Sequence, residues 1–301
     1  MNTKTKEKGH SEEFFGDYRN YWYNYDFLEL MTKRWELQKA KNLLDVGCGM
    51  CHWSRLLSDF LQPGTKIIGV DNDIKWSKDN DEIKADFLKK SMEFSLKKAD
   101  VYSLPFADNT FDVVTCQTLL IHVDPLRALN EMKRVLKPKG ILICAEPNNL
   151  VCSLLRDSIT SSNSIQDIID NVLYSLVHEK GKIKQGKGDN SIGDLLPQIF
   201  QQMGLNEIKA YLSDKINMVI PPYDTHETQA TIEWLLSNDI NNFMNNEAKS
   251  NFACFDGEFD HILRKISDQK EMQRDKLKKA IKDKKYFNGS GFMMYLVSGT
   301  K

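Results

Sequence analysis

The sequence has no long apolar run. No stretch approaches the roughly 20 consecutive apolar residues that cross a bilayer, so no membrane-spanning helix is expected. Charge of one sign is not in excess either. The 41 Lys and Arg stand against 42 Asp and Glu, a formal net charge of −1, which gives no electrostatic pull toward nucleic acid or an anionic membrane surface. Met1 to His10 is polar and charged with no apolar segment behind it, so no signal peptide is expected, and the segment reads as disordered. Six cysteines in 301 residues, without such a signal, fit reduced thiols and a cytoplasmic location. Internal repeats and low-complexity tracts are absent. A zinc site built on Cys48, Cys51 and His52 would need a second group of ligands, and the scattered Cys116, Cys144, Cys152 and Cys254 do not supply one, so no metal is expected.

What is present centres on Asn42-Leu43-Leu44-Asp45-Val46-Gly47-Cys48-Gly49-Met50-Cys51-His52-Trp53-Ser54-Arg55-Leu56-Leu57. A short apolar run ends in an acid, two glycines follow, and Trp53, Leu56 and Leu57 then recur at helical spacing. This reads as strand, glycine turn and helix, a unit that brings backbone N–H groups close to a ligand. Lys66 to Asp71 is a second apolar strand ending in an acid. Met92 to Leu96 reads as a short third strand, Phe111 to Cys116 as a buried fourth, and Ile141 to Ala145 as a fifth. A helix is expected over Leu126 to Leu136, stopped by Lys137-Pro138-Lys139-Gly140. Strands alternating with helices predict βαβ units and a doubly wound, Rossmann-like α/β sheet, with the ligand beyond the carboxyl ends of the strands. Further on, Ile192 to Gly204 reads as a helix, Ile208 to Val219 as a strand region and residues 225–285 as helices. Arg264 to Lys285 within the last of these reads as a solvated basic face.

The spacing of the turn narrows its ligand. His52 stands where a dinucleotide fingerprint has its third glycine, and no Gly-Lys-Ser/Thr follows, as a phosphate-binding loop requires. Cys48-Gly49-Met50-Cys51 has the form of a redox pair at a helix start, but that chemistry gives Asp45 and Gly47 no role. An acid beside the turn repels phosphate and suits a cation. A second acid, Asp71, suits the hydroxyls of a ribose. A cationic adenosyl ligand without a phosphate chain, S-adenosylmethionine (SAM), fits both.

Leu44-Asp45-Val46-Gly47-Cys48-Gly49, Ile68-Gly69-Val70-Asp71, Ala99-Asp100-Val101-Tyr102-Ser103-Leu104-Pro105-Phe106, and Phe111-Asp112-Val113-Val114 through Arg134-Val135-Leu136-Lys137-Pro138-Lys139-Gly140 resemble class I SAM-dependent methyltransferases. The closest flavour is the group that includes the ubiquinone/menaquinone-biosynthesis enzymes and many small-molecule methyltransferases. The resemblance covers about residues 42–149, with a weaker tail over 192–220 and 287–298. It implies a seven-stranded sheet whose last strand, placed at Phe292 to Val297, is antiparallel. It also implies roles: Gly47 and Gly49 letting the backbone approach the methionine part of the cofactor, Cys48 between them in the cofactor site, Asp45 near the ammonium, and Asp71 on the ribose with Asn72 beside the adenine. Asp100 and the Val101 backbone would meet the adenine, and Gln117 would line the cofactor floor. Tyr25 is included from an N-terminal stretch dense in aromatics (Phe14, Phe15, Tyr18, Tyr21, Trp22, Tyr23, Tyr25, Phe27 and Trp35) that reads as core or as a lid.

Methyl transfer requires alignment and desolvation more than a signature nucleophile. His122, just after the fourth strand, is the candidate general base; a structural role in its loop is the competing reading. The expected organisation is a helical lid over 1–40, a SAM-binding core over 41–149, a helical insert over 150–190, a core continuation over 191–220, a helical substrate cap over 221–286 and a closing strand over 287–301. The segments outside the core carry Trp22, Tyr174, Tyr223, Trp234, Phe243 and Phe255. They predict an enclosed pocket for a small, partly apolar or aromatic acceptor, methylated on O, N or C, with nucleic acid not expected as a partner. A SAM-binding protein without turnover, or an RNA or protein methyltransferase, would carry the same core motifs.

Overall fold

The computed structural model describes residues 16–74 and 81–301, with the side chains of 16–17 and 238–243 left aside. The expected disorder of residues 1–10, the rings of Phe14 and Phe15 and the side chain of Phe243 lie outside the described residues. Among the described residues seven strands form one sheet: β1 (Asn42–Val46), β2 (Lys66–Asp71), β3 (Glu93–Lys98), β4 (Phe111–Gln117), β5 (Leu136–Pro147), β6 (Asn206–Leu212) and β7 (Met294–Thr300), in the order β3-β2-β1-β4-β5-β7-β6. The first five run parallel; β7 is antiparallel to both β5 and β6. The chain order reverses direction on either side of β1, so the crevice of a doubly wound sheet opens where β1 and β4 end.

Alternation along the strands sends neighbouring residues to opposite layers. Leu43, Val113, Ile143 and Leu296 pack on one face with Met31, Trp53 and Phe87. Leu44, Val114, Leu142 and Val297 pack on the other with Leu129, Met132 and Phe200. The helices that cover these faces include α1 (Tyr25–Arg34), α2 (His52–Ser58), α3 (Asp81–Lys89), α4 (Pro125–Val135) and α6 (Leu196–Gln202). Four further helices are α5 (Ile165–Lys184), α7 (His226–Leu236), α8 (Asn238–Phe252) and α9 (Asp260–Lys282). Val177, Phe252, Ile262 and Ile266, from α5, α8 and α9, form a small core apart from those of the sheet.

Local chemistry sets these ends. Asp124 caps α4 by accepting from the Arg127 N–H, with Pro125 in the first turn. Ser164 and Asp167 form a reciprocal capping box at α5. Three expectations need correction. The fourth helix ends at Val135, because Leu136 already pairs with Phe111, and Lys137 to Gly140 form a bulged part of β5 before Ile141 meets Val113. Lys139 takes a left-handed φ of 64° there, and the Lys301 ammonium caps the freed carbonyls of Lys133, Arg134 and Leu136. The strand expected over Ile208 to Val219 stops at Leu212, where Ser213 still donates to Met294 O but the pairing does not continue. The closing strand starts at Met294 and runs on to Thr300, two residues later than expected at its beginning.

Gly181 marks where α5 and α8 cross. A Cβ there would overlap the Asn251 carbonyl oxygen and lie 2.6 Å from its carbon. Gly181→Ala is therefore expected to lower unfolding stability by about 1–3 kcal/mol in chemical denaturation. An open helix position would respond with the opposite sign, a gain of about 0.5–1 kcal/mol.

Candidate cofactor and acceptor site

The turn after β1 has the backbone its glycines predict, with φ of 69° at Gly47 and 49° at Gly49. Gly47 also sits under the loop after β4, where a Cβ would lie 2.7 Å from Leu119 Cδ1. The Gly47 and Cys48 amides donate to Val70 O at 2.8 and 3.0 Å. Gly49 N donates to Asp71 Oδ2 and Asp73 N to Asp71 Oδ1, each at 3.0 Å. Those two bonds use half of the acceptor positions of a carboxylate and leave room for hydroxyl donors.

Asp45 is buried at the base of the turn, and among the described residues its Oδ2 has no hydrogen-bond partner. Burial pushes its pKa up to about 7, with Asp71 adding to the rise, while hydrogen bonds from Ser54 and the charge of Arg19 oppose it. Arg19, from the short 3-10 turn Gly16–Tyr21, donates to Thr118 Oγ1 at 3.1 Å and lies 4.9 Å from the centre of the Trp22 ring. Its burial lowers its pKa to about 10, so it stays cationic at neutral pH. Gln117 donates to the Tyr23 hydroxyl at 2.8 Å, and the Tyr23 ring sits 5.3 Å from Trp53. Burial, with the charges of Arg19 and Arg55, pushes His52 down to about 3 and keeps it neutral.

Glu146, at the end of β5, is fully buried. Its Oε1 accepts from Leu119 N at 2.9 Å and Leu120 N at 3.0 Å, which ties down the loop that covers Gly47. Burial pushes its pKa up to about 7 against those two amides. The same loop, through Thr118, Ile121 and His122, forms one wall of a cavity of about 860 Å³. Trp22, Leu150, Cys152, Phe292 and Met294 also line it, as do Tyr174, His178, Lys182, Trp234, Glu247 and Lys270.

The structure thus brings Asp45, Gly47, Gly49, Asp71 and Gln117 to one end of the sheet, with exposed Asn72 next to Asp71. Asp100 is exposed in the turn after β3, where its Oδ1 accepts from Tyr102 N at 2.9 Å; Val101 packs into the core beside it. His122 lies in the cavity wall. Two expected side chains point elsewhere. Cys48 turns toward β2, where a Cβ on Gly69 would lie 2.8 Å from its Sγ, so only its backbone belongs to the turn. The neighbouring Cys51 thiol and burial raise the Cys48 pKa, the reverse of an activated redox cysteine. Tyr25 is 57% exposed in the first turn of α1 and packs on Phe60 at 5.1 Å, away from the turn; the buried tyrosine beside Gln117 is Tyr23. Arg19 and Glu146 stand beside the turn and its neighbouring loop without being singled out by sequence patterning, and Lys270, in the stretch read as a solvated basic face, is half-buried in the cavity lining instead. The only cue to Arg19 is a cation inside an aromatic stretch.

A family model described as a methyltransferase domain matches residues 44–144. A demethylmenaquinone methyltransferase of Staphylococcus haemolyticus is 29% identical over 181 residues, 60% of this chain and 74% of that protein. The demethylmenaquinone methyltransferase of Staphylococcus carnosus is 32% identical over 155 residues, 47% of this chain and 63% of that one, so less than two thirds of its length is spanned. A solved SAM-dependent methyltransferase from Aquifex aeolicus aligns with a TM-score of 0.44 and 18% identity, covering 68% of this chain and 88% of that one. Residues 44–144 match a methyltransferase domain, similar to those of the demethylmenaquinone methyltransferases, and the cofactor to set against the turn is SAM. The turn fits that molecule: the unpartnered Oδ2 of buried Asp45 is a ready acceptor for an ammonium group, and Asp71 retains acceptor capacity for a ribose.

The raised pKa of Glu146 has a signed consequence. Between the ordinary glutamate pKa, near 4.5, and about 7 the folded protein holds a proton that the unfolded chain releases, so stability falls as pH rises through that window. Glu146→Gln keeps an acceptor for Leu119 and Leu120 without the ionisation cost. Its stability relative to the native protein should be near parity at pH 4, rise with pH, and level off above pH 7 at a gain on the order of 1–3 kcal/mol in denaturant titrations.

Proposed function

We propose that this protein transfers the methyl group of SAM to a small-molecule acceptor held in the cavity between the carboxyl edge of the sheet and the helical cap. The observation that carries the reading is the loop over residues 118–122. It packs on the glycine turn through Leu119 and lines the cavity through Thr118, Ile121 and His122, so cofactor and acceptor would share one wall. Segments 150–190 and 221–286 act as the acceptor cap in this reading, and 16–40 as a lid over the cofactor. A half-open, concave cavity lined by Trp22, Trp234, Phe292 and Met294 suits a partly apolar or aromatic acceptor better than a macromolecule. Two of the relatives are named for methyl transfer to demethylmenaquinone.

SAM, when bound, supplies a methyl group activated by its sulfonium. The chain's part is to bind, orient and exclude water. Gly47 and Gly49, with the Cys48 backbone, let the main chain approach the methionine portion. Asp45 receives its ammonium, and Arg19, held by Thr118, lies near enough to Asp45 to take its carboxylate. Asp71 takes the ribose hydroxyls, Asn72 and Val101 flank the adenine, the remaining oxygen of Asp100 accepts from it, and Gln117 with Tyr23 forms the floor. His122 is the candidate to take a proton from the acceptor if its nucleophile is protonated.

SAM and S-adenosylhomocysteine (SAH) should each raise the melting temperature and NAD should not; no shift with either would overturn the reading. A ligand ammonium beside Asp45 stabilises its ionised form, so binding expels a proton. Below pH 7, SAH affinity should fall by up to about tenfold per pH unit. Asp45→Asn should bind SAH at least about tenfold more weakly and lose that slope. For His122→Ala, unchanged SAH affinity with near-native turnover would remove it as the base.

A further inference from the structure

Charge is unevenly arranged on the cap side of the cavity. Its two acids are both engaged. Glu247 accepts from Lys182 Nζ at 3.0 Å and has His178 Nε2 at 4.0 Å, while Glu179 is hydrogen-bonded to the Ser191 hydroxyl. Lys182 makes a further bond to Asn190 Oδ1 at 2.6 Å. Lys270, reaching in from α9, has no carboxylate within ion-pair range among the described residues. Its ammonium sits 4.2 Å from the centre of the Tyr174 ring and donates to the Tyr174 hydroxyl at 3.2 Å. A ring face and one phenol oxygen hold an ammonium in place, yet two of its three N–H groups are left for another acceptor. Burial alone pushes this lysine down to about 8, with no acid restoring it. Asn171 and Gln273 lie one turn from Tyr174 and Lys270 on their helices and line the same cavity with neutral donors.

We propose that the acceptor is an amphipathic carboxylic acid whose carboxylate seats on Lys270, between Tyr174 and Gln273, while its apolar body lies against Trp22, Trp234 and Phe292. The other end of the acceptor then faces Thr118 and His122. Lys270 is the half-buried cation of this wall without a carboxylate among the described residues; Arg156 also lines the cavity but is exposed to solvent, so a dianionic phosphate monoester would bring a second charge with no buried partner. The inference rests on the methyl-transfer reading of the cavity and adds the charge that selects the acceptor.

The test uses 2-naphthoate and its neutral isostere 2-naphthamide, titrated calorimetrically into the full chain saturated with SAH. The native protein should bind naphthoate about tenfold more tightly than the amide, the size of one charge-assisted hydrogen bond. Lys270→Gln should abolish the preference while keeping native SAH affinity and melting temperature, and Lys270→Arg should retain it. Equal binding of the two probes, no binding of naphthoate, or a preference that persists in Lys270→Gln overturns the proposal. Failure of SAH itself to bind overturns the methyl-transfer reading instead. The naphthoate preference and its loss in Lys270→Gln, measured without SAH, would then still decide the anion site.

Discussion

Glu146 ties the two halves of the site together. Its Oε1 gathers the amides of Leu119 and Leu120, and those residues span the gap between the glycine turn and the cavity. A carboxylate taken wholly out of water is costly, and two amide donors recover only part of that cost. The loop it holds begins at Thr118, whose φ is 50°, and reaches His122, whose amide closes back on Leu119 O at 2.9 Å. Without a buried acceptor at the end of β5, those amides would have no partner where Leu119 covers Gly47. The close approach that lets a ligand meet backbone on one side and cavity on the other follows from this one acceptor.

The sheet was legible because its cues are local. Alternating apolar residues, two acids at strand ends and paired glycines are set by period and spacing, and each of the first five strands falls within a few residues of its expected place. The errors came where tertiary pairing overrides local punctuation. Lys137-Pro138-Lys139-Gly140 has the composition of a stop, yet β5 begins before it, because Leu136 finds Phe111 and the C-terminal Lys301 satisfies the helix carbonyls. The candidate site divides in the same way. Asp45, Gly47, Gly49, Asp71 and Gln117 follow from strand order alone. Tyr25 was misplaced because an aromatic-dense stretch does not say which ring turns inward, and the start of a helix puts Tyr23 inside and Tyr25 in solvent. Arg19, Glu146 and Lys270 acquire their chemistry from burial and from partners distant in sequence, which no spacing encodes.

The conspicuous cysteines show the complementary error, a strong sequence feature without a matching environment. Cys48 and Cys51 have the spacing of a redox motif, but both are buried and Cys48 faces the β2 backbone. Neutral His52 lends no positive charge to stabilise a thiolate. Gly69 is glycine because Cys48 occupies the space a side chain would take. Both thiols belong to the apolar core on one face of the sheet.

Electrostatics then sets the two ends of the site apart. Beside the glycine turn lie the buried carboxyls of Asp45 and Asp71, with Glu146 behind the next loop and, among the described residues, Arg19 as the buried guanidinium. Lining the cavity, Lys270 rests on an aromatic ring while Glu247 is already paired with Lys182. A cationic cofactor and an anionic acceptor entering from opposite sides would each meet complementary charge. Once both were seated, the water excluded from between them would leave the acceptor's nucleophile poorly solvated beside the methyl donor. Such an arrangement favours transfer through position and desolvation, so the chain needs no strong base at His122 when the acceptor atom is already nucleophilic.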